Sequence, residues 1–144
     1  MTATALWRLP ATRLAAMVAA KQVSPVEVMD AVLARAEAMD GVLNLFALKL
    51  FDAARDGAKR AEAQVMAGAP LGPLHGVPVT IKDNVAMAGL PTANGSVAAP
   101  APVAAEDWAV VARLRRAGAI PIGKTTLPEF AHKVLTDSPQ TGIT

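Results

Sequence analysis

An α/β fold is predicted by the alternation of helical and strand patterns along the chain. Short apolar runs rich in β-branched residues predict strands at 45–50, 77–82 and 119–122. Amphipathic or capped segments predict helices at 12–21, 25–40, 52–68 and 107–117. Strands that alternate with helices in this way form a sheet with helices packed against it. The chain of 144 residues has the length of one domain, and we expect a single unit over residues 1–144.

Capping residues mark the ends of most of these helices. Ser24-Pro25-Val26-Glu27 combines a capping box with a proline at the first helical position, so the second helix is expected to start at residue 25. Asp40-Gly41 is expected to end that helix. Asp52 is expected to cap the third helix and Asp107 the fourth, which Gly118 closes.

The composition excludes several classes of protein. The chain has no cysteine, which excludes disulfides, thiol nucleophiles and thiolate metal sites. Its two histidines, His75 and His132, are far apart and lack carboxylates at ligand spacing, so neither a metal nor another cofactor is expected. The net charge is only +2, and no basic run with interleaved aromatic residues indicates a nucleic-acid partner.

The sequence shows neither a targeting signal nor a membrane span. Residues 1–10 lack a basic start followed by an apolar core, and the apolar stretch at 14–20 is short and flanked by Arg13 and Lys21. No stretch approaches the roughly 18 apolar residues of a membrane-spanning helix. We therefore expect a cytoplasmic protein without a membrane partner.

The stretch from Gly72 to Asn84 holds the strongest candidate for chemistry, because its strand ends on a lysine. Both alternating faces of the stretch are largely apolar, which predicts a strand covered on both sides. This holds provided that Pro78 is the first residue of the strand or that the strand lies at an edge of the sheet. Lys82 then lies at the carboxyl end, where open α/β sheets place their functional groups. With Asp83-Asn84 it can form a solvated turn. Alternatively, a cleft keeps its amine neutral, so that it can take a proton from a serine.

The same stretch resembles the amidase signature family, serine hydrolases that use a Ser-cisSer-Lys triad. Further blocks resemble this family in order and spacing: Gly89-Leu90-Pro91-Thr92, Gly95-Ser96, the helix from Asp107 to Ala117, Ala117-Gly118-Ala119, Gly123-Lys124-Thr125 and Pro128-Glu129-Phe130-Ala131. The resemblance covers nearly the whole chain, although residues 1–60 are generic. It is specific because several unrelated blocks agree.

The resemblance implies the amino-terminal part of a mixed β-sheet flanked by helices, in an enzyme that hydrolyses carboxamides through an acyl-serine intermediate. It makes Lys82 the triad base and places Ala131 and His132 near the substrate pocket; an exposed loop histidine is the alternative for His132. The family's two serines lie in a Gly/Ser-rich stretch that the sequence does not reach. The chain alone is therefore expected to be inactive, and to associate with itself or with a complementary fragment.

Two departures from the family pattern concern the substrate class. Thr126 stands where asparagine is usual, and Gln140-Thr141 precede Gly142 where an aromatic residue is common. Two other functions remain open at this point. One is the A-type subunit of an aminoacyl-tRNA amidotransferase, which uses the same chemistry to release ammonia and requires partner subunits. The other is a catalytically silent module that binds a partner.

One literal motif match is rejected on its context. The residues from Gly118 to Thr125 match the Walker A pattern, in which a lysine and a threonine bind nucleotide phosphates and magnesium. That motif needs a strand before it and a helix after it. Here a helix precedes the first glycine, Pro121 interrupts the apolar middle, and Pro128 follows too soon for a helix that starts at Lys124. We expect a helix end, a strand and a turn, without nucleotide binding.

Three polar residues near these motifs are assigned structural roles. Ser96 and Ser138 do not lie in a strand-to-helix elbow of the G-x-S-x-G type, so turn or cap roles are favoured over nucleophilic ones. Asp83 is turned away from the side of Lys82 by the alternation of the strand. It is therefore expected to anchor the following loop.

Overall fold

The computed structural model describes residues 3–144. Met1 and Thr2, the first residues of the segment 1–10 in which no targeting signal was found, lie outside it. A 3₁₀ helix, Ala3–Arg8, opens the described chain. The α-helices are α1 (Ala11–Ala19), α2 (Pro25–Leu43), α3 (Phe51–Met66) and α4 (Ala109–Arg116). The strands are β1 (Phe46–Lys49), β2 (Pro78–Lys82), β3 (Ile120–Thr125), β4 (Asp137–Ser138) and β5 (Gly142–Ile143), and a second 3₁₀ helix spans Glu129–Ala131.

A mixed three-stranded sheet of order β1-β3-β2 organises these elements. The central strand β3 pairs antiparallel with β1 and parallel with β2. The short strands β4 and β5 form a separate antiparallel pair. The predicted α/β architecture is confirmed, including the mixed sheet that the family resemblance implies.

The lysine strand β2 differs from the sequence expectation in its burial. Pro78 is its first residue, and β2 pairs only with β3 among the described strands, so both conditions for a proline in a strand are met. Within residues 3–144, however, the expected cover is found on one face only. Ile81 is buried, whereas Thr80 and Lys82 are exposed.

Three hydrophobic clusters hold the helices and the sheet together. The first joins α1 and α2 through residues such as Leu14, Val18 and Val28. A second packs α2 and α3 against β3. The third, formed by Ile81, Met87 and Val111, packs α4 against β2 and the loop that follows it. This third cluster fixes the region in which Lys82 lies.

The start of α2 forms as predicted, but its end does not. Ser24 and Glu27 form both arms of the capping box, with a 2.9 Å bond from the Ser24 backbone N–H to Glu27 Oε2. The helix continues past Asp40-Gly41 to Leu43 and ends at Asn44, which adopts the left-handed conformation with φ of 51°. A single Gly41 only weakens a helix. The terminating residue is therefore the asparagine, which tolerates positive φ.

Two predicted helix caps are wrong. The helix α3 begins at Phe51, so Asp52 lies within its first turn and its side chain is exposed. Asp107 precedes Trp108, the residue at the N-cap of α4, and does not cap the helix. Asp107 instead accepts a 2.8 Å hydrogen bond from the Ala88 backbone N–H and pairs with Arg115 at 3.1 Å. Its carboxylate holds the loop after β2, which a local sequence pattern does not reveal.

The predicted third strand is longer in the structure and ends at Thr125 instead of Ile122. Gly123 and Lys124 extend it because both pair with β1. A side chain at Gly123 would have its Cβ 2.6 Å from the Phe46 ring, so this position requires glycine for the two strands to approach. The extension brings Lys124 next to the carboxyl end of β2.

Candidate active site at the end of the lysine strand

Lys82 is the last residue of β2, and hydrogen bonds fix the backbone at Lys82 and at the residue that follows it. Its carbonyl accepts a 2.9 Å hydrogen bond from the Val85 N–H, and the next N–H, of Asp83, donates to the Thr125 carbonyl at 3.1 Å. The side chain is exposed and forms no hydrogen bond or ion pair with the residues that the structure describes. Lys82 therefore presents an uncommitted amine from a fixed backbone position.

The side chain of Asp83 lies in the interior, where Lys82 does not reach. Asp83 is 3% exposed, and its Oδ1 atom forms an ion pair of 2.9 Å with Lys124 Nζ. As predicted, the Asp83 side chain lies away from that of Lys82 and is anchored inside the protein. Its partner, a lysine 41 residues further along, was not predicted. No local sequence signal indicates the pair, because it depends on the parallel pairing of β2 with β3.

Lys124 is completely buried, and its ammonium group has three acceptors. Besides Asp83, it donates to the Pro91 carbonyl at 2.6 Å and to Thr92 Oγ1 at 3.2 Å. A lysine ammonium has three N–H donors, so this arrangement satisfies all of them. Lys124 belongs to the Walker A-like sequence. It nevertheless lies within β3, and its ammonium group is bonded to protein groups. The structure supports the helix end, strand and turn that the sequence context predicts.

Two buried acceptors near Lys82 have no donor among residues 3–144. They are the Oδ2 atom of Asp83 and the Oδ1 atom of Asn84. Buried polar atoms in native proteins are nearly always hydrogen-bonded, so unpaired ones need an explanation. Both atoms belong to the two residues that follow Lys82. A donor from water or from further polypeptide would complete this region.

Ala131 and His132 lie elsewhere: Ala131 ends the 3₁₀ helix that follows Pro128, and His132 is the next residue. Both are exposed, and Ala131, like Phe130, adopts a positive φ that non-glycine residues rarely take. His132 lines an open cavity of about 360 Å³, whose other lining residues are Glu129, Lys133, Asp137, Ser138, Pro139, Gly142 and Ile143. Neither Lys82 nor Ala131 lines this cavity. The structure thus does not bring the predicted base and the predicted pocket residues into one cavity.

The two candidate serines have structural partners. Ser96 Oγ donates to Glu129 Oε1 at 2.7 Å and accepts from the Ala98 N–H at 3.2 Å. Ser138 Oγ accepts from the Thr141 N–H at 3.1 Å and shares a 2.8 Å hydrogen bond with the Thr141 hydroxyl. Both side chains are buried, and neither is hydrogen-bonded to Lys82. These contacts agree with the predicted turn roles.

Metal-binding and membrane-spanning features are absent from the described part of the chain. Residues 3–144 contain no group of three or more His, Cys, Asp or Glu side chains that could hold a metal ion. Within the same range, no helix is both long and apolar enough to cross a membrane.

Comparison with known proteins decides the family. Residues 27–144 match the Amidase family. The chain belongs to this family. Over 139 residues it is 40% identical to the indoleacetamide hydrolase of Bradyrhizobium diazoefficiens, an alignment that covers 96% of the chain and 26% of that enzyme. It is 39% identical to the A-type subunit of the glutamyl-tRNA(Gln) amidotransferase of Acidothermus cellulolyticus, with 96% and 28% covered.

The folds of solved amidases agree with this membership. A fatty acid amide hydrolase structure superposes with a TM-score of 0.93 at 26% identity, covering 99% of this chain and 25% of that one. The amidase signature resemblance read from the sequence blocks is therefore confirmed. The chain spans between a quarter and a third of the length of the relatives it matches.

This chain departs from the amidase family pattern at Thr126, whose side chain takes part in packing. Thr126 is buried, and its hydroxyl lies 3.3 Å from the Asn44 carbonyl and 2.8 Å from the Thr144 hydroxyl. Asn44 in turn donates to the Ile143 carbonyl at 3.1 Å. Thr126 therefore ties the last described residues to the end of α2.

Proposed function

We propose that this chain supplies the lysine base of a carboxamide hydrolase, and that Lys82 is that base. Family membership supports the reaction class. The observation that carries the assignment is the contrast between the two strand-end lysines. Lys124 is buried and its donors are all used, whereas Lys82 is held by its backbone and keeps its amine uncommitted. Of these two lysines, only Lys82 can exchange a proton with a reacting group.

In the proposed reaction, Lys82 accepts a proton from a bridging serine, which in turn accepts the proton of the nucleophilic serine. The nucleophile's oxygen attacks the amide carbonyl, the C–N bond breaks, and the proton passes to the leaving amine. Water then hydrolyses the acyl-serine and regenerates the hydroxyl. Backbone N–H groups near the nucleophile would stabilise the oxyanion.

The serines and oxyanion donors of this scheme are proposed to come from polypeptide outside residues 3–144. Ser96 and Ser138 are engaged elsewhere. A neutral lysine base also needs a dry environment, and Lys82 is exposed in the described part of the chain. The chain spans only about a quarter of the length of the relatives it matches, which supports a second segment that covers this end of β2. Ala131 and His132 would then contribute to the acyl pocket from the end of the second 3₁₀ helix.

A second candidate is the A-type subunit of an aminoacyl-tRNA amidotransferase, favoured by the 39% identity to a protein of that kind. The chemistry at Lys82 would be the same, with glutamine as the amide donor. The two candidates differ in dependence on partners. An amidotransferase component should release ammonia from glutamine efficiently only with its partner subunits, whereas a free amidase should hydrolyse amides alone.

The proposed function can be tested with two proteins: the isolated 144-residue chain, and a complete enzyme in which the chain continues into a serine-bearing segment. Each is assayed against aryl amides, aliphatic amides and glutamine, and then treated with a serine-directed fluorophosphonate. We expect turnover and a covalent adduct for the complete enzyme alone. Amide turnover by the isolated chain, or an adduct on Ser96 or Ser138, would contradict the proposal. Failure of the complete enzyme to hydrolyse any amide would favour the silent binding module.

A further inference from the structure

The ion pair between Lys124 and Asp83 connects the interior of the sheet to the residue next to Lys82. Asp83 is the immediate neighbour of Lys82, and its backbone N–H is already bonded to Thr125 on β3. The side-chain pair adds a second attachment, to Lys124 on the same strand. The peptide that follows Lys82 is thus fixed to β3 by both its backbone and its side chain.

Lys124 also holds the loop that passes beside this strand end. Its bonds to the Pro91 carbonyl and Thr92 Oγ1 attach that loop to the same ammonium group. The loop forms no named strand; isolated bridges between Ala88 and Ala104 and between Pro91 and Val103, and backbone hydrogen bonds such as that from the Thr92 N–H to the Pro102 carbonyl at 3.3 Å, are its other attachments. One buried cation therefore joins three separate segments: β3, the residue after Lys82, and the 91–92 loop.

A buried cation is a costly way to hold a loop. Taking an ammonium and a carboxylate out of water is unfavourable, and an apolar pair of similar volume is often at least as stable. Stability alone therefore does not explain a fully buried lysine at this position. An ion pair with two further hydrogen bonds instead fixes the geometry, because it permits only one arrangement of the groups that it joins.

We propose that Lys124 is a positioning residue for Lys82. By fixing Asp83 and the 91–92 loop, it sets the direction in which the Lys82 amine leaves the end of β2. This inference rests on the proposed role of Lys82. A positioned base acts through geometry, and a displacement of about 1 Å can lower turnover on the order of 100-fold.

The test uses the complete enzyme and compares Lys124→Met with the double variant Lys124→Met/Asp83→Asn. The single variant leaves the Asp83 carboxylate buried without its cation and is expected to lower the melting temperature strongly. The double variant removes both charges and is expected to regain much of that stability. Lys59→Met serves as the matched control, since Lys59 forms an exposed ion pair with Asp56 on α3.

The decisive readout is kcat per active site, with active sites counted from the endpoint of fluorophosphonate labelling. We expect kcat per site to fall roughly 10- to 100-fold in both Lys124 variants, with KM within about threefold of the parent. A purely structural role would lower the number of sites and leave kcat per site unchanged. Parent-like kcat per site in the double variant would overturn the inference.

A Lys82→Ala arm separates this inference from the proposed function. If Lys82→Ala loses turnover while the double variant keeps it, the positioning role fails and the base assignment stands. If Lys82→Ala keeps turnover, the base assignment fails, and the positioning role fails with it.

Discussion

The Lys124 ammonium and the Asp83 carboxylate meet at 2.9 Å in the interior of the protein, one residue after the exposed Lys82. Two lysines at neighbouring strand ends therefore have opposite environments. Lys124 is enclosed by acceptors, and Lys82 is open. All donors of Lys124 are bonded to protein groups, whereas Lys82, the proposed base, has no hydrogen bond or ion pair from its amine within residues 3–144.

We predict that the chain does not bind nucleotides through Lys124. Its three N–H donors are already bonded to protein acceptors, and a phosphate would have to displace the Asp83 carboxylate from a buried site. Titration calorimetry with ATP or GTP and magnesium should show no binding that depends on Lys124 or Thr125. Micromolar affinity that disappears in Lys124→Ala would restore the Walker A interpretation.

We also predict that the connection between α2 and β1 loses stability at acid pH. Burial, the largest influence, acts to raise the pKa of Asp40. The hydrogen bond from Lys49, the backbone N–H groups of Leu45 and Phe46 and the positive charge of Lys49 together outweigh it, and the pKa is lowered. Because the folded-state pKa lies below the unfolded one, this stabilisation is present above about pH 4 and is lost as the pH falls through the folded-state pKa.

Asp40→Asn should therefore destabilise the complete enzyme at pH 7 by about 1–2 kcal/mol, since it weakens charge-assisted bonds of 2.7 and 3.2 Å to backbone N–H groups. The difference from the parent should shrink as the pH falls toward 3. Denaturant titrations at both pH values measure it. Asp52→Asn is the control, because the Asp52 side chain is fully exposed. An Asp40→Asn effect of equal size at both pH values would contradict the account.

Glycine at position 118 is predicted to be required for the turn between α4 and β3. Gly118 has a φ of +88°, and an added Cβ would lie 2.7 Å from the His75 Cα. Gly118→Ala should cost roughly 2–4 kcal/mol, from the unfavourable backbone conformation and the steric conflict together. Gly89→Ala is the matched control, since Gly89 has a φ of +77° but open space around it. Equal losses in thermal denaturation would show that the contact with His75 does not matter.

Local signals in the sequence were sufficient where a single short segment determines the structure. The capping box at Ser24 and Glu27, the helix end at Gly118 and the strand that stops at Lys82 all formed as predicted. Each depends on residues a few positions apart. The amidase family was also recognisable, because its motifs are contiguous blocks.

The Asp52 cap and the end of α2 were wrong on local signals, but the other errors concern residues whose partners are distant in sequence. Asp107 resembles a helix cap but bonds to Ala88 and Arg115, and β3 is extended by its pairing with β1. The pair of Asp83 and Lys124 joins residues on adjacent parallel strands, whose register the sequence does not specify. The exposure of Lys82 likewise follows from which elements cover the end of β2, and local periodicity carries no information about that.

The most direct test of the account is the turnover of Lys82 variants of the complete enzyme, with Lys59→Ala as an exposed-lysine control. Lys82→Ala removes the base, and Lys82→Arg replaces it with a guanidinium that cannot be deprotonated. We expect both variants to keep the parent's melting temperature within a few degrees and to lose on the order of 10²–10⁴-fold or more in kcat for an amide substrate. Near-parental kcat in either Lys82 variant would contradict the assignment of this residue as the base.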